Sequence, residues 1–557
     1  MNLKRTTAML LVAAMFATPI QADFAGPYLA ARQASILSDY GQAVSYYNRA
    51  IAQDPDNVAL LENAVIANIG AGDIDNAARI GVAFFKTGAN NQIVTLVSNM
   101  VALKEGDFAP TTKGTPDQDG LAPLLDGLLR GWALLGDGNM TDATASFKTV
   151  ADQPDFAPLA SYHEALALAQ VGDFEAAENI LSGERDGPLT LSLRGIKAHA
   201  QVLVQLDRSA DALELLNLVG QRGLNPDLQT MIDAIEAGGT IDYTFVTTPQ
   251  EGAAEVLFTL AAILQGRAAA EHVLIYTRLA TYLRPDHAEA LLTSAEMLED
   301  LAQYKLAEDA YADMPSDHPS FYLAEMGRAN ALYADDRKDA ATEVLTALAK
   351  SHTEIPTIHA ALGDFLGRAE RNDDAIAAYT KSIDLRAEDD RSAWPVYYAR
   401  GIVQERVGNF EGMEADFRKA LELQPNHPDI LNYLGYSLVE QQIKMDEALG
   451  MIQQAVAIRP ESGYITDSLG WVFYRLGRYD EAVAPMETAV SLVPVDPIIN
   501  DHLGDVYWKV GRTREAEFQW RRALSFEPEE VEADRIRRKL EVGLDVVLEE
   551  EAATPSE

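Results

Sequence analysis

Cysteine is absent from all 557 residues. Its absence excludes disulfides, thiolate metal sites and a catalytic thiol, and leaves no residue for N-terminal lipidation. Basic residues are scarce as well: 45 Lys and Arg stand against 85 Asp and Glu, a formal net charge of -40. Such a field repels phosphate backbones and anionic lipid, so nucleic acid and membrane surfaces are poor partners and basic or neutral ones are favoured. Long apolar runs are missing too. The run over residues 8–17, within "MNLKRTTAMLLVAAMFATPIQADF", falls short of the about 20 residues that a membrane span needs. With Lys4 and Arg5 ahead of it and Ala22 at a cleavage point behind, it reads as a secretory signal peptide over residues 1–22. Export without disulfides or an anchor makes a bacterial periplasm the expected destination of a protein that is not a lipoprotein.

Catalytic signatures are also lacking. The chain holds no Gly-rich phosphate loop ending in Lys-Ser or Lys-Thr, no His-Glu-x-x-His and no Gly-x-Ser-x-Gly. Its nine histidines are scattered, and Pro356 lies between His352 and His359, breaking any single helix that would bring them onto one metal. Carboxylates are so numerous that their pairing carries no information beyond a solvated helix face. The expectation is a non-enzyme without metal or cofactor.

What the chain does have is a period. Gly470, Ala482, Met486, Ala489 and Pro494 recur as Gly504, Ala516, Trp520, Ala523 and Pro528, each displaced by 34 residues. Gly401, Phe417, Ala420 and Pro425 precede Gly435, Ala455 and Pro460 with one extra residue, and Ala43, Tyr47 and Ala50 recur as Ala77, Gly81 and Phe84. Gly or Ala lets two helices cross closely, the large residue fills the space beside the crossing, and Pro stops the second helix. This frame resembles the tetratricopeptide-repeat family over most of residues 24–528. The resemblance implies an all-α fold, a right-handed superhelical solenoid of helix-turn-helix repeats in which each hairpin is covered by the next.

Two segments interrupt the frame. "APTTKGTPDQDG", residues 109–120, replaces most of one second helix with breakers. "GGTIDYTFVTTPQEG", residues 238–252, is β-prone and flanked by glycines. The domain reading that follows is a degenerate N-terminal array over 23–237, a linker over 238–252 and a C-terminal array over 253–528. Residues 529–548 are expected as a capping helix, with Asp534–Arg538 and Arg537–Glu541 as i,i+4 pairs, and 549–557 as an acidic disordered tail. The basic cluster Arg535, Arg537, Arg538 and Lys539 fits either the cap or an interaction patch.

On the first helix of each hairpin, the face that looks into the superhelical groove is rotated by roughly a third of a turn from the packing face. In three consecutive repeats that face takes Asn432 and Tyr436, then Tyr464, Asp467, Trp471 and Tyr474, then Asp501, Asp505 and Trp508. Aromatics beside short Asn and Asp side chains make the surface expected of a groove that holds a peptide or protein segment. The opposing expectation is that these aromatics are packing residues. "LNYLGYSL", "DSLGWVFYRLGRYDEAV" and "DHLGDVYWKVGR" further resemble the C-terminal blocks of a group of exported Gram-negative repeat proteins, which includes a lipoprotein adaptor of a carboxyl-terminal processing protease. That likeness implies a periplasmic adaptor whose partners include an envelope protease or a cell-wall hydrolase. The alternative is a structural scaffold or assembly subunit acting through its edges.

Overall fold

A computed structural model describes residues 20–113, 123–185, 187–220 and 226–553. Most of the signal segment over 1–22 lies outside them, and the first helix is Ile20–Ile36. Among the described residues there are 31 α-helices, one 3-10 turn and no strand, and no helix is long and apolar enough to cross a membrane. Helix starts follow from the sequence. Asp39 and Asp73, and Asn57 and Asn91, sit one period apart and accept hydrogen bonds from the backbone N–H groups that open their helices. The crossings follow too. A methyl group on Gly131, Gly363, Gly401, Gly470 or Gly504 would lie within 2.4–2.7 Å of the side chain sixteen residues on, which is Phe147, Tyr379, Phe417, Met486 or Trp520. Each glycine is therefore a seat for one large residue of its own hairpin.

The chain divides into two compact units, Met1–Leu348 and Ala349–Glu557. The division does not fall at 238–252, where the breakers and β-prone residues suggested it. In the first unit, the helix Pro249–Leu264 returns to pack on Pro123–Gly136 and Ala157–Gln170, and Ala270–Leu283 packs on Val58–Ala71 and Gln92–Lys104. All four are first helices of their hairpins, so the face that a groove would use is covered by the same chain. The segment before Pro249 is pinned rather than free. Phe245 and Val246 are buried, Gln201 Oε1 accepts from the Thr244 and Phe245 backbone N–H groups at 3.0 and 3.1 Å, and Thr248 caps the returning helix. Of its β-branched and aromatic residues Phe245 and Val246 thus serve burial, and residues 240–247 lie in no strand. Of the interruption at 109–120, residues Ala109–Lys113 form a short helix and the remainder lies outside the described residues.

The second unit stacks five hairpins, from Pro356–Arg368 with Asn372–Asp384 to Pro497–Lys509 with Thr513–Leu524, and then two further helices. First helices pack on one another along the stack: Pro428–Glu440 on Gly463–Arg475, and Gly463–Arg475 on Pro497–Lys509. The cap is not one helix over 529–548. Gly543, at φ 85°, separates Glu530–Val542 from Leu544–Ala553, because its positive φ, open to glycine, breaks the helix there. The tail expected to be disordered from Glu549 is helical to Ala553, held by Arg535 to Glu551 and Arg538 to Glu550, and residues 554–557 lie outside the described residues. In place of the expected i,i+4 pairs, Arg537 pairs with Asp534 and Glu530 and Arg538 with Glu541 within the first cap helix.

Candidate functional site

The nine residues assigned to the groove come together on the first-helix face of the second unit, but most of them are not open to a partner. Tyr464 is 60% exposed; Asn432, Tyr436 and Trp508 are half-buried; Asp467, Trp471, Tyr474, Asp501 and Asp505 are buried. The expectation of an exposed aromatic groove is corrected for that last group, and the cause is local. Trp471 lies between two rings, stacked on Tyr474 with centroids 4.7 Å apart and on His502 at 3.9 Å, and its indole N–H donates to Glu440 at 2.6 Å. His502 in turn pairs with Asp467 at 3.0 Å. Burial opposes a charge on His502, yet the carboxylates of Asp467, Asp501 and Asp505 outweigh it and hold its pKa above the ordinary value.

At the C-terminal end the same face is covered by the cap. Lys539, fully buried, donates to both oxygens of Asp501 at 2.9 and 2.7 Å and to Asp505 at 2.6 Å. Trp520 donates its indole N–H to Asp505 at 2.9 Å, and the Arg535 guanidinium stands 3.6 Å from each carboxylate. Burial, with Asp505 beside it, raises the pKa of Asp501 against the pull of Lys539. Trp508 donates to Asp545 of the last helix at 3.0 Å. An acidic face does attract a basic segment, as its composition implied, and the segment is the chain's own cap. Sequence reasoning named Lys539 and Arg535 as cap or patch without linking them to Asp501 and Asp505, since the 34-residue frame fixes the packing positions and not which polar side chains meet across neighbouring helices. His502 was missed for the same reason.

The part of this face left open lies toward the N-terminal side. Tyr398 and Ile402, one repeat before Asn432 and Tyr436, are half-buried, and Tyr464 and Ile498 are exposed. Asn432 Oδ1 is buried there with no hydrogen-bond donor among the described residues. The corresponding face of the first unit is filled: Tyr162 donates to Glu255 of the returning helix at 3.1 Å, Arg194 pairs with Glu255 at 2.7 Å and also with Glu289, and Gly252 sits against the Trp132 ring. Burial alone would raise the pKa of Glu255, but Arg194 holds it well below the carboxylate range.

Comparison with known proteins agrees with this architecture. A tetratricopeptide-repeat family model matches residues 128–184, 326–390 and 444–497, and a second one matches 395–427. A TPR repeat-containing protein of Pseudomonas aeruginosa is 27% identical over 184 residues, a match spanning 33% of this chain and 30% of that relative. A tetratricopeptide repeat protein from Parabacteroides merdae aligns at 16% identity and TM-score 0.37, covering 46% of this chain and 98% of its own. The Cut9–Hcn1 hetero-tetramer structure of the APC/C aligns at 14% identity and TM-score 0.38, covering 96% of this chain and 98% of its own. With helix hairpins, glycine seats and family matches falling in both units, the chain carries tetratricopeptide repeats.

Proposed function

We propose that the protein is a non-catalytic adaptor that binds a peptide or protein segment on the open first-helix face of its second unit. Proteins of this repeat type bind proteins or peptides, and one observation supports a site here. Asn432 presents a carbonyl oxygen that is buried without a donor, beside half-buried Tyr436 and exposed Tyr464. An extended segment's backbone N–H would satisfy it while the tyrosines supply apolar area, and a net charge of -40 selects basic or neutral sequences. The signal-like N-terminus supports a periplasmic role, and the likeness of the C-terminal blocks to exported adaptors supports an envelope protease or cell-wall hydrolase as partner. A display library of random peptides, selected on immobilised residues 23–557, tests the site. Selected peptides should be neutral or basic and should lose binding to a folded Asn432→Ala, Tyr436→Ala variant. Peptides that bind the variant equally well would move the site elsewhere. Cell fractionation with a compartment marker tests the location.

The second reading, a scaffold acting through its edge, is favoured by a row of exposed apolar residues near the starts of successive first helices. Tyr464, Val495, Ile498 and Val531 are 60%, 64%, 44% and 84% exposed. An Ile498→Asp, Val531→Asp variant that dissolves a native assembly while still binding selected peptides would support it.

A further inference from the structure

In the first unit, a cavity of about 330 Å³ opens where the returning helix Ala270–Leu283 meets the end of Val58–Ala71 and the end of Gln92–Lys104. Its lining is out of keeping with the rest of this acidic chain. Arg278 is held largely out of solvent, its Nε buried, and the guanidinium has no hydrogen bond or ion pair with any described residue. Lys104 lies across the same cavity with its ammonium 3.7 Å from the Tyr282 ring centroid, and it too has no carboxylate partner among the described residues. Lys104 is exposed, but an arginine with a buried nitrogen and no ion pair among the described residues stands out where Asp and Glu outnumber Lys and Arg 85 to 45. Gly72 keeps one side of the guanidinium clear: a methyl group there would lie 3.6 Å from Arg278 Cζ, and its φ of 87° disfavours any side chain.

The carboxylates nearby do not serve these cations. Asp75 is engaged by the Tyr282 hydroxyl. Asp313 lines the cavity from an exposed position and, with Asp309, acts on Arg278 only at a distance, so burial prevails and the guanidinium's proton is held less tightly than usual. An arginine whose Nε is buried without an acceptor carries a desolvation cost that an oxyanion would remove, and its planar fork matches carboxylate and phosphate oxygens. The ends of two helices contribute negative potential beside the cations. That accounts for their sign but supplies none of the missing acceptors.

We propose that this cavity is a binding site for a small oxyanion, a carboxylate or a phosphate, with Arg278 as its fork and Lys104 as its second cation. It is separate from the peptide-binding face proposed for the second unit. The test uses titration calorimetry on residues 23–557 with sodium phosphate and with sodium succinate, at ionic strength held constant by sodium chloride. Saturable binding of one or both is expected, weakened about tenfold or more by Arg278→Met and less by Lys104→Met, and untouched by Arg79→Met on the exposed surface. Which salt binds identifies the source of the oxyanion. Asp313→Asn should tighten binding by removing a like charge. Absence of saturable binding, or binding that survives Arg278→Met, overturns the proposal. So does a structural role: without ligand, Arg278→Met and Asp313→Asn should melt no lower than the wild type, and a clear drop in either would mean that Arg278 serves the fold through Asp313.

Discussion

Gly252 and Gly470 both sit under a large side chain, but the two neighbours differ in how they can respond. A methyl group on Gly252 would come within 2.2 Å of the Trp132 ring, which is fully buried and rigid. On Gly470 it would meet Met486 Cγ at 2.5 Å, on a chain with three rotatable bonds. Gly252→Ala should therefore cost about 1–3 kcal/mol by overpacking, and Gly470→Ala clearly less, because relief of Met486 and the gain in helix propensity offset the clash. Chemical denaturation of the two variants checks the order, and equal costs would refute the role given to side-chain flexibility. His163 provides a second test at this scale. It is buried, accepts the Trp132 indole N–H at 3.3 Å, and burial lowers its pKa to about 4. The unfolded chain takes up that proton near pH 6.5 while the folded one does not, so its stabilising contribution is whole above about pH 6.5 and is lost as pH falls toward 4. The loss is on the order of 3 kcal/mol. His163→Gln should flatten the stability profile across that window in equilibrium unfolding, and a profile as steep as the wild type's would assign the slope to other groups.

At the scale of the element, the cap Glu530–Val542 is fastened by a cation it buries. Lys539→Met removes the ammonium that both carboxylates accept from and leaves buried Asp501 and Asp505 with the Arg535 guanidinium, 3.6 Å from each, as their remaining cation. A buried charge left wholly unpaired costs about 3–5 kcal/mol, and Arg535 keeps the loss here below that. The expected result is a lower melting point and early proteolysis beyond Pro528, with Asp501→Asn and Asp505→Asn restoring part of the loss in the same background. A Lys539→Met variant as stable and as protease-resistant as the wild type would show that apolar contacts alone hold the cap. Much of this element was legible in the sequence: a helix-forming stretch after the last Pro, with basic residues among acidic ones. Its docking was not. The ion pairs that matter join positions 34 and 38 residues apart, and a pattern read along one helix sees only the i,i+3 and i,i+4 neighbours.

At the scale of the molecule, the second unit has its own buried core, running from Met413 and Phe417 through Trp471 and Met486 to Trp520 and Leu544. Residues 353–557 expressed alone should keep helical circular dichroism and melt cooperatively. A fragment without a cooperative transition would mean that this core is completed elsewhere. The sequence by itself determined the helical hairpins, their caps and the glycine seats, because these depend on residues within one period of each other and are repeated often enough to be read. It also determined the sign of the charge and the want of a catalytic motif. Only the tertiary structure decided which faces remain open. The helices Pro249–Leu264 and Ala270–Leu283 cover the first-helix face of the first unit, and the cap covers one end of that face in the second. The first closure joins segments several periods apart, where no repeat constrains the partners, and the second joins neighbouring helices whose polar side chains the packing frame leaves unspecified. In both, charge and ring contacts such as Arg194–Glu255, Trp132–Gly252 and Lys539–Asp505 are specified by shape and burial rather than by spacing.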